Sequence, residues 1–272
     1  MELAIPITFQ SANISPMACF IFLFIFRKLN SEHMNKTALI TGAAKRVGKA
    51  MVQHLAHHGW NIALHYNTSD TEANRFCNEL RCNFPQQKFE TFRADLQEAK
   101  QVEGLLPRVV QEFPEINLLI NNASVFEPSN LAKTTSGFME KQLNVNFMAP
   151  FILSVSFVKL FGSGIIVNFV DTRIVKNQPN YAAYTLSKKM LWEFTKMASV
   201  EFGPGTRVNA IAPGLTLPPA EKDEKYLWDL AEKIPMKRPG GVEPILKSLD
   251  YILENDYLTG QLLFCDGGEN LN

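Results

Sequence analysis

The sequence has little cysteine, no excess of either charge and an N-terminal apolar run too short to cross a bilayer. Its four cysteines, Cys19, Cys77, Cys82 and Cys265, form no C-x-x-C pair. That argues against a disulfide framework or a zinc site and fits a reducing cytosol. Basic and acidic residues balance at 27 each, so no nucleic-acid partner is expected. The apolar stretch Met17–Phe26 has ten residues, half of the roughly twenty that a span needs. No Lys or Arg precedes it, as a secretory signal would require, and Arg27 and Lys28 follow it. Two readings remain. The run is a weak anchor, with those cations holding the rest on the cytosolic side, or it lies outside the working protein. A start at Met34 is favoured, with residues 1–33 an extension and 34–272 the folded domain. Membrane affinity of so short a segment would be marginal. No internal repeat or low-complexity linker interrupts the chain.

What is present is an alternation. Apolar runs at Thr37–Ile40, Asn61–His65, Lys88–Arg93, Asn117–Ile120, Ile165–Val167, Arg207–Ile211 and Gln261–Cys265 read as strands. Between them, amphipathic patterns read as helices to about His58, over Thr71–Asn83, Glu98–Phe113, Lys141–Leu160 and Ala182–Phe202. Seven strands alternating with helices predict an α/β fold: one Rossmann domain, its doubly wound parallel sheet covered on both faces. Right-handed crossovers then bring the strand ends to one edge, where ligands bind.

Three features at that edge carry chemistry. After the first strand comes Thr41-Gly42-Ala43-Ala44-Lys45-Arg46-Val47-Gly48, then a helix. Strand, glycine turn and helix is the layout of a phosphate-binding unit, with the helix N-terminus facing a pyrophosphate. The middle glycine of G-x-G-x-x-G is absent. The second strand ends in Asn67, Thr68 and Ser69, with no carboxylate to repel a 2′-phosphate; Asp70 follows. With Lys45 and Arg46 nearby, NADP is favoured over NAD. Third, Tyr184 and Lys188 are four apart, one turn from each other on one side of a helix. An ammonium there is expected to lower the phenol from its usual pKa of about 10 and fit it for proton exchange. On the same helix Leu186, Met190, Phe194 and Met197 are spaced as a buried face. His54, His57 and His58 share a helix, but no carboxylate or cysteine completes a metal set, so they read as surface residues.

Thr41-Gly42-x-x-x-Arg46-x-Gly48, Asn121-Asn122-Ala123-Ser124, Asn146, Tyr184-x-x-x-Lys188, Pro213-Gly214 and Asp266-Gly267-Gly268, in this order, resemble the short-chain dehydrogenase/reductase family. The resemblance runs from about residue 34 to the C-terminus. Two departures point further. Arg46 stands where most members have glycine, and Asp171 where most have a serine that holds a carbonyl substrate. Both resemble the pteridine reductases and dihydromonapterin reductases, as do Asn122-Ala123-Ser124-Val125-Phe126 and Pro213-Gly214-Leu215-Thr216. The resemblance implies an NADP(H) cofactor and a pterin or folate substrate. By it, Tyr184 transfers the proton, Asp171 bonds to Tyr184 and helps protonate the pterin, and Lys188 holds the nicotinamide ribose. Asn146 keeps a water path to Lys188. Arg46 and Ser124 touch cofactor phosphates and substrate, and Phe126 stacks on the pterin. Asp95 and Leu96 flank the adenine, and Asn122 lies on the ribose side. Gly42, Val47, Ala123, Pro213, Gly214 and Thr216 also border the cofactor, and Leu215 the substrate. Thr68 stands where some members carry a basic residue.

The resemblance also implies that Pro218–Gly241 is a mobile lid whose aromatics contact a substrate tail or pin the lid helix. It implies as well a homotetramer or homodimer formed through the helix carrying Tyr184. The expected activity is NADPH-dependent reduction of a dihydropterin or dihydrofolate in the cytosol. Three alternatives stand beside it: a carbonyl reductase of 3-oxoacyl thioesters, a non-catalytic NADP-sensing module, and a membrane adaptor built on the N-terminal run.

Overall fold

The protein is described here by a computed structural model covering residues 36–219 and 222–271. The N-terminal apolar run and the expected start at Met34 lie outside the described residues. Seven strands form one parallel sheet: β1 (Thr37–Ile40), β2 (Asn61–Tyr66), β3 (Phe89–Arg93), β4 (Leu118–Asn121), β5 (Gly164–Phe169), β6 (Thr206–Pro213) and β7 (Leu262–Cys265). Their order is β3-β2-β1-β4-β5-β6-β7, all parallel. The order reverses between β1 and β4, which opens a crevice at their C-terminal ends.

Strand alternation sends neighbouring residues to opposite faces, and here both faces are apolar, as a sheet covered on both sides requires. Ile40, Ile62, Leu64, Ile120 and Ile211 pack on one face against Met51 and Leu55 of α1 (Arg46–His57), Phe76 of α2 (Asp70–Asn83) and Leu249 of α9 (Glu243–Glu254). Leu39, Ala63, Leu119, Ile166 and Val208 pack on the other. They meet α3 (Ala99–Glu103), α4 (Leu105–Glu112), α6 (Ala149–Phe161) and α7 (Ala182–Glu201). The remaining helices are α5 (Ser136–Leu143) and α8 (Glu224–Ala231).

Three expectations about the helices are corrected. The single helix expected over Glu98–Phe113 is two, α3 and α4, broken at Gly104. Pro107 has no N–H to offer the carbonyl one turn back, which weakens the join. The helix expected from Lys141 begins at Ser136, where Thr135 Oγ1 accepts the Phe138 N–H at 3.3 Å, and it is interrupted by a π turn at Asn144–Met148. By length and apolarity the stretch Ser136–Phe161 would pass as a membrane span. Val145, Ala149, Leu153 and Phe157 are nonetheless buried against the sheet, as in a core helix. Third, of the apolar stripe expected on α7 only Phe194 packs against the core. Leu186 and Met190 are each 42% exposed and Met197 71%. The buried face is Ala183, Tyr184, Ser187, Lys188, Leu191, Thr195 and Ala198. Its small residues let the helix approach the sheet closely and carry the polar pair inward.

His54, His57 and His58 sit on α1. His54 pairs with Asp250 of α9 at 2.7 Å, and the other two bond backbone carbonyls of their own helix.

Candidate active site

The crevice is a groove of about 390 Å³. It is lined by Gly42, Lys45, Arg46, Val47, Asn67, Asp95, Leu96, Asn122, Ala123 and Ser124, together with Gly48, His65, Gln97, Val125 and Val145. Thr68, Ser69, Pro213, Gly214 and Thr216 are not among its lining residues, and Leu215 lines a separate cavity of about 220 Å³ with Arg238.

The glycine turn is held from three sides. Gly42 has a φ of +64°, which favours glycine. A Cβ on Gly48 would stand 2.1 Å from the Gly42 carbonyl oxygen, so only glycine lets helix and turn close up. Thr41 Oγ1 accepts the N–H groups of Asn122 and Ala123, both at 3.0 Å, and Asn122 Nδ2 returns a bond to the Thr41 carbonyl at 2.8 Å. Third is His65, which the sequence reading passed over. Its Nδ1 accepts the Gly42 N–H at 3.2 Å, so its Nε2 carries the proton donated to the Ala94 carbonyl at 3.0 Å. Burial pushes its pKa from 6.5 down to about 4, so it works as a neutral strut. The available signal was a polar residue inside an otherwise apolar strand.

The cradle fits a dinucleotide. The N-cap of α1, Lys45, offers no side-chain acceptor to the first-turn amides, which leaves that end of the helix to an anion. Lys45 pairs with Glu72 at 2.7 Å. The Arg46 guanidinium donates to the carbonyls of Pro218 at 2.8 Å and Leu217 at 3.2 Å, so here it ties the start of the lid segment to the turn. Asp70, the acid after the second strand, accepts from the Tyr66 hydroxyl.

The second centre lies where β5 ends and α7 begins. The Tyr184 hydroxyl donates to Asp171 Oδ2 at 2.7 Å, and Asp171 Oδ1 accepts the Arg173 N–H at 2.8 Å. The aspartate therefore both caps the 3-10 turn Thr172–Val175 and holds the phenol. Ser124 donates to Asn146 Oδ1 at 2.9 Å. The aromatic neighbours are tight. Phe126, 51% exposed, stacks on Tyr181 at 4.2 Å with the rings 2° from parallel, and meets Tyr184 edge-on at 4.7 Å. The Arg173 guanidinium lies 4.7 Å from the Tyr181 ring centre. Tyr181, at the start of α7, holds a φ of +60°, uncommon for a non-glycine residue. The sequence reading singled out neither Tyr181 nor Arg173.

One expectation about this centre changes. The Tyr184 phenol is not lowered. Burial raises it well above its usual value, and the charge and hydrogen bond of Asp171 raise it further. Lys188 does not oppose this: its Nζ donates to the Phe169 carbonyl at 2.7 Å and is 5.8 Å from the Tyr184 ring centre. Burial lowers Lys188 itself to about 8, with Asp171 acting against that. Asn146, on the π turn, bonds Val125, Gln142, Ser187 and Ser124. Its side chain positions the Ser124–Val125 loop.

Glycine turn, dinucleotide groove and a Tyr-x-x-x-Lys helix on one sheet edge define a class. A family model described as enoyl-(acyl carrier protein) reductase matches residues 42–270. The chain belongs to the short-chain dehydrogenase/reductase family. Among solved structures it is similar to the FolM alternative dihydrofolate reductase 1 of Brucella canis, crystallised with NADP. That match has 34% identity and a TM-score of 0.81, over 88% of this chain and 95% of that one. The Brucella suis protein of the same name, also with NADP, is 33% identical with a TM-score of 0.82, over 88% and 96%. Among curated relatives, an uncharacterized oxidoreductase of Thermotoga maritima is 30% identical over 86% of this chain and 96% of its own length. The 3-oxoacyl-[acyl-carrier-protein] reductase FabG of Staphylococcus epidermidis is 27% identical over 86% and 99%.

Proposed function

We propose that the chain is an NADPH-dependent reductase of pterin rings, taking a dihydropterin or dihydrofolate to its tetrahydro form. The observation that carries this is the carboxyl of Asp171 bonded to the Tyr184 hydroxyl at 2.7 Å, where a carbonyl reductase would use a serine. The similarity to two NADP-bound FolM proteins supports it.

NADPH, when bound, supplies the hydride to a pterin ring carbon. The work of the chain is then to orient the ring and deliver a proton to the adjacent nitrogen. Phe126 offers a flat, half-exposed face for the heterocycle, and Ser124 and Arg46 are the polar groups we assign to its edge. Tyr184 is the proton donor. Its raised pKa keeps the phenol protonated at neutral pH. A ring nitrogen that has just received an electron pair is a far stronger base than a phenolate, so even a weak phenol donates to it. Asp171 aims the hydroxyl and returns a proton afterwards. Lys188 holds the nicotinamide ribose, and Asn146 fixes the loop that presents Ser124 and Phe126. Lys45, with Asn67, Thr68 and Ser69 at the end of β2, favours the 2′-phosphate of NADP.

The enzyme works in the cytosol as a dimer or tetramer. The exposed stripe Leu186, Met190 and Met197 on α7, beside Met148 and Phe151, is the face we assign to a second copy. A second reading, reduction of 3-oxoacyl thioesters, is favoured by the FabG relatives. NADPH oxidation with dihydrobiopterin or dihydrofolate, set against an acetoacetyl thioester, separates the two. Turnover of the thioester alone refutes the pterin assignment.

A further inference from the structure

We propose that Arg173 binds a carboxylate on the side chain of the substrate, so that the preferred substrate is a pterin with an acidic tail, of the folate type, rather than one with a neutral side chain. This rests on the pterin reading above. The Arg173 guanidinium lies 4.7 Å from the Tyr181 ring centre and 5.8 Å from that of Phe126, while the two rings are 4.2 Å apart and 2° from parallel. On the far face of Tyr181 it would stand a full ring spacing farther from Phe126. It therefore sits at the side of the stack, beside the half-exposed ring assigned to the heterocycle. Phe126 in turn meets the Tyr184 ring edge-on at 4.7 Å, so the cation and the proton donor border the same ring.

The fold makes little use of this guanidinium. Of its five donors, those on Nη1 make two long contacts, to Gln178 Oε1 and Asn180 Oδ1, each at 3.5 Å. Among the described residues Nε and Nη2 have no hydrogen-bond partner, and no carboxylate pairs with the group. Three acids of the neighbouring segments are engaged elsewhere. Asp171 accepts from the Tyr184 hydroxyl and the Arg173 backbone N–H; Glu127, next to Phe126, pairs with Lys141 at 2.7 Å; Glu269 pairs with Lys176 at 3.7 Å. The Arg173 side chain is half-buried. A guanidinium is weakly hydrated, and its planar fork matches a carboxylate through two parallel bonds. A neutral hydroxyalkyl chain brings no charge to it.

The surroundings are anchored. The Ser129 carbonyl accepts the Ala182 N–H at 3.0 Å and its Oγ the Ala183 N–H at 3.4 Å, which ties the segment after Phe126 to the start of α7. Asp171 Oδ1 accepts the Arg173 N–H at 2.8 Å, and the Arg173 carbonyl accepts the Lys176 N–H at 3.0 Å. Arg173 enters these bonds through its backbone alone, so a new side chain there leaves the turn and the Asp171–Tyr184 pair in place. A tail carboxylate is unchanged by the reaction. Its contact is the same in ground and transition states and belongs to KM.

The test is steady-state kinetics of the NADPH-saturated full chain with dihydrofolate and with dihydrobiopterin, whose side chain is neutral, for the parent, Arg173→Gln and Arg173→Lys. Arg173→Gln should raise the ratio of KM for dihydrofolate to KM for dihydrobiopterin by about tenfold or more, the worth of hydrogen bonds to a charged group. The change should fall in KM more than in kcat. Arg173→Lys keeps the charge and loses the fork, so it should recover part of the ratio. Added salt should raise the parent's KM for dihydrofolate and have less effect on that of Arg173→Gln. If Arg173→Gln moves both KM values in step, the side chain only props Tyr181 and the proposal is overturned. It is equally overturned if neither value moves; turnover of both pterins then leaves the pterin reading standing without this site. If no pterin turns over, that reading fails by itself. Calorimetric binding of folate and of biopterin to the NADP-bound chain then decides the site by the same ratio, and equal effects or no folate binding overturn it.

Discussion

Asp171 and Tyr184 lie thirteen residues apart in the chain, yet the phenol donates to Asp171 Oδ2 at 2.7 Å while the other carboxyl oxygen caps the turn between them. One side chain thus sets the backbone of the loop and the direction of the proton donor. The two duties can be separated by substitution. Asp171→Asn keeps an acceptor for the Arg173 N–H but cannot pass a proton. Pterin reduction should fall by about a hundredfold or more, with Tm near that of the parent. Asp171→Ser should cut pterin turnover as well. A fully active variant by NADPH oxidation would show that the carboxyl is not needed.

Tyr184→Phe removes the donor and leaves the ring against Phe126. NADPH binding, followed by quenching or enhancement of its fluorescence, should persist with a near-native Kd. Turnover should drop by roughly 10²–10⁴-fold, the usual worth of a positioned acid. Unchanged turnover takes the tyrosine out of the mechanism.

The sheet and its ligand edge were legible in the sequence because buried parallel strands are apolar on both faces and so stand out as runs, bounded by Gly42, Gly59 and the Asn121-Asn122 pair. The residues around Tyr184 were legible as a motif, and their mutual distances were not. The tyrosine's pKa went the other way because i, i+4 spacing places Lys188 near the ring without saying where its ammonium points. That depended on the Phe169 carbonyl at the end of β5. The face of α7 was misread for a related reason. Helical periodicity shows that a stripe is apolar and does not say whether the core or another subunit covers it. His65 carries no motif at all; its role exists only through contacts with residues distant in sequence.

That uncovered stripe makes a direct prediction. Leu186 and Met190 are each 42% exposed, one turn apart on α7. Burying the exposed part of such side chains returns about 1 kcal/mol each, and a symmetric interface counts each twice. The parent should run as a dimer or tetramer by light scattering, and Leu186→Lys with Met190→Glu should shift it toward monomer. Because Tyr184 and Lys188 sit on the opposite face of the same helix, the monomer should also lose activity. A monomeric parent overturns the assignment of this face.

His65 ties cofactor binding to pH. Its folded pKa of about 4 lies below the ordinary imidazole value of 6.5, so the neutral ring favours the fold wherever the unfolded chain would be neutral too. That contribution is fully present above about pH 6.5, declines as pH falls through the window, and is gone near pH 4. It is on the order of 3 kcal/mol. Protonating Nδ1 also removes the acceptor for the Gly42 N–H, so the turn should loosen and the Kd for NADPH rise over the same range. His65→Gln should be less stable at pH 7 and should flatten the Tm profile between pH 4 and 6.5. If the parent and this variant show parallel Tm profiles over that window, the strut is not His65.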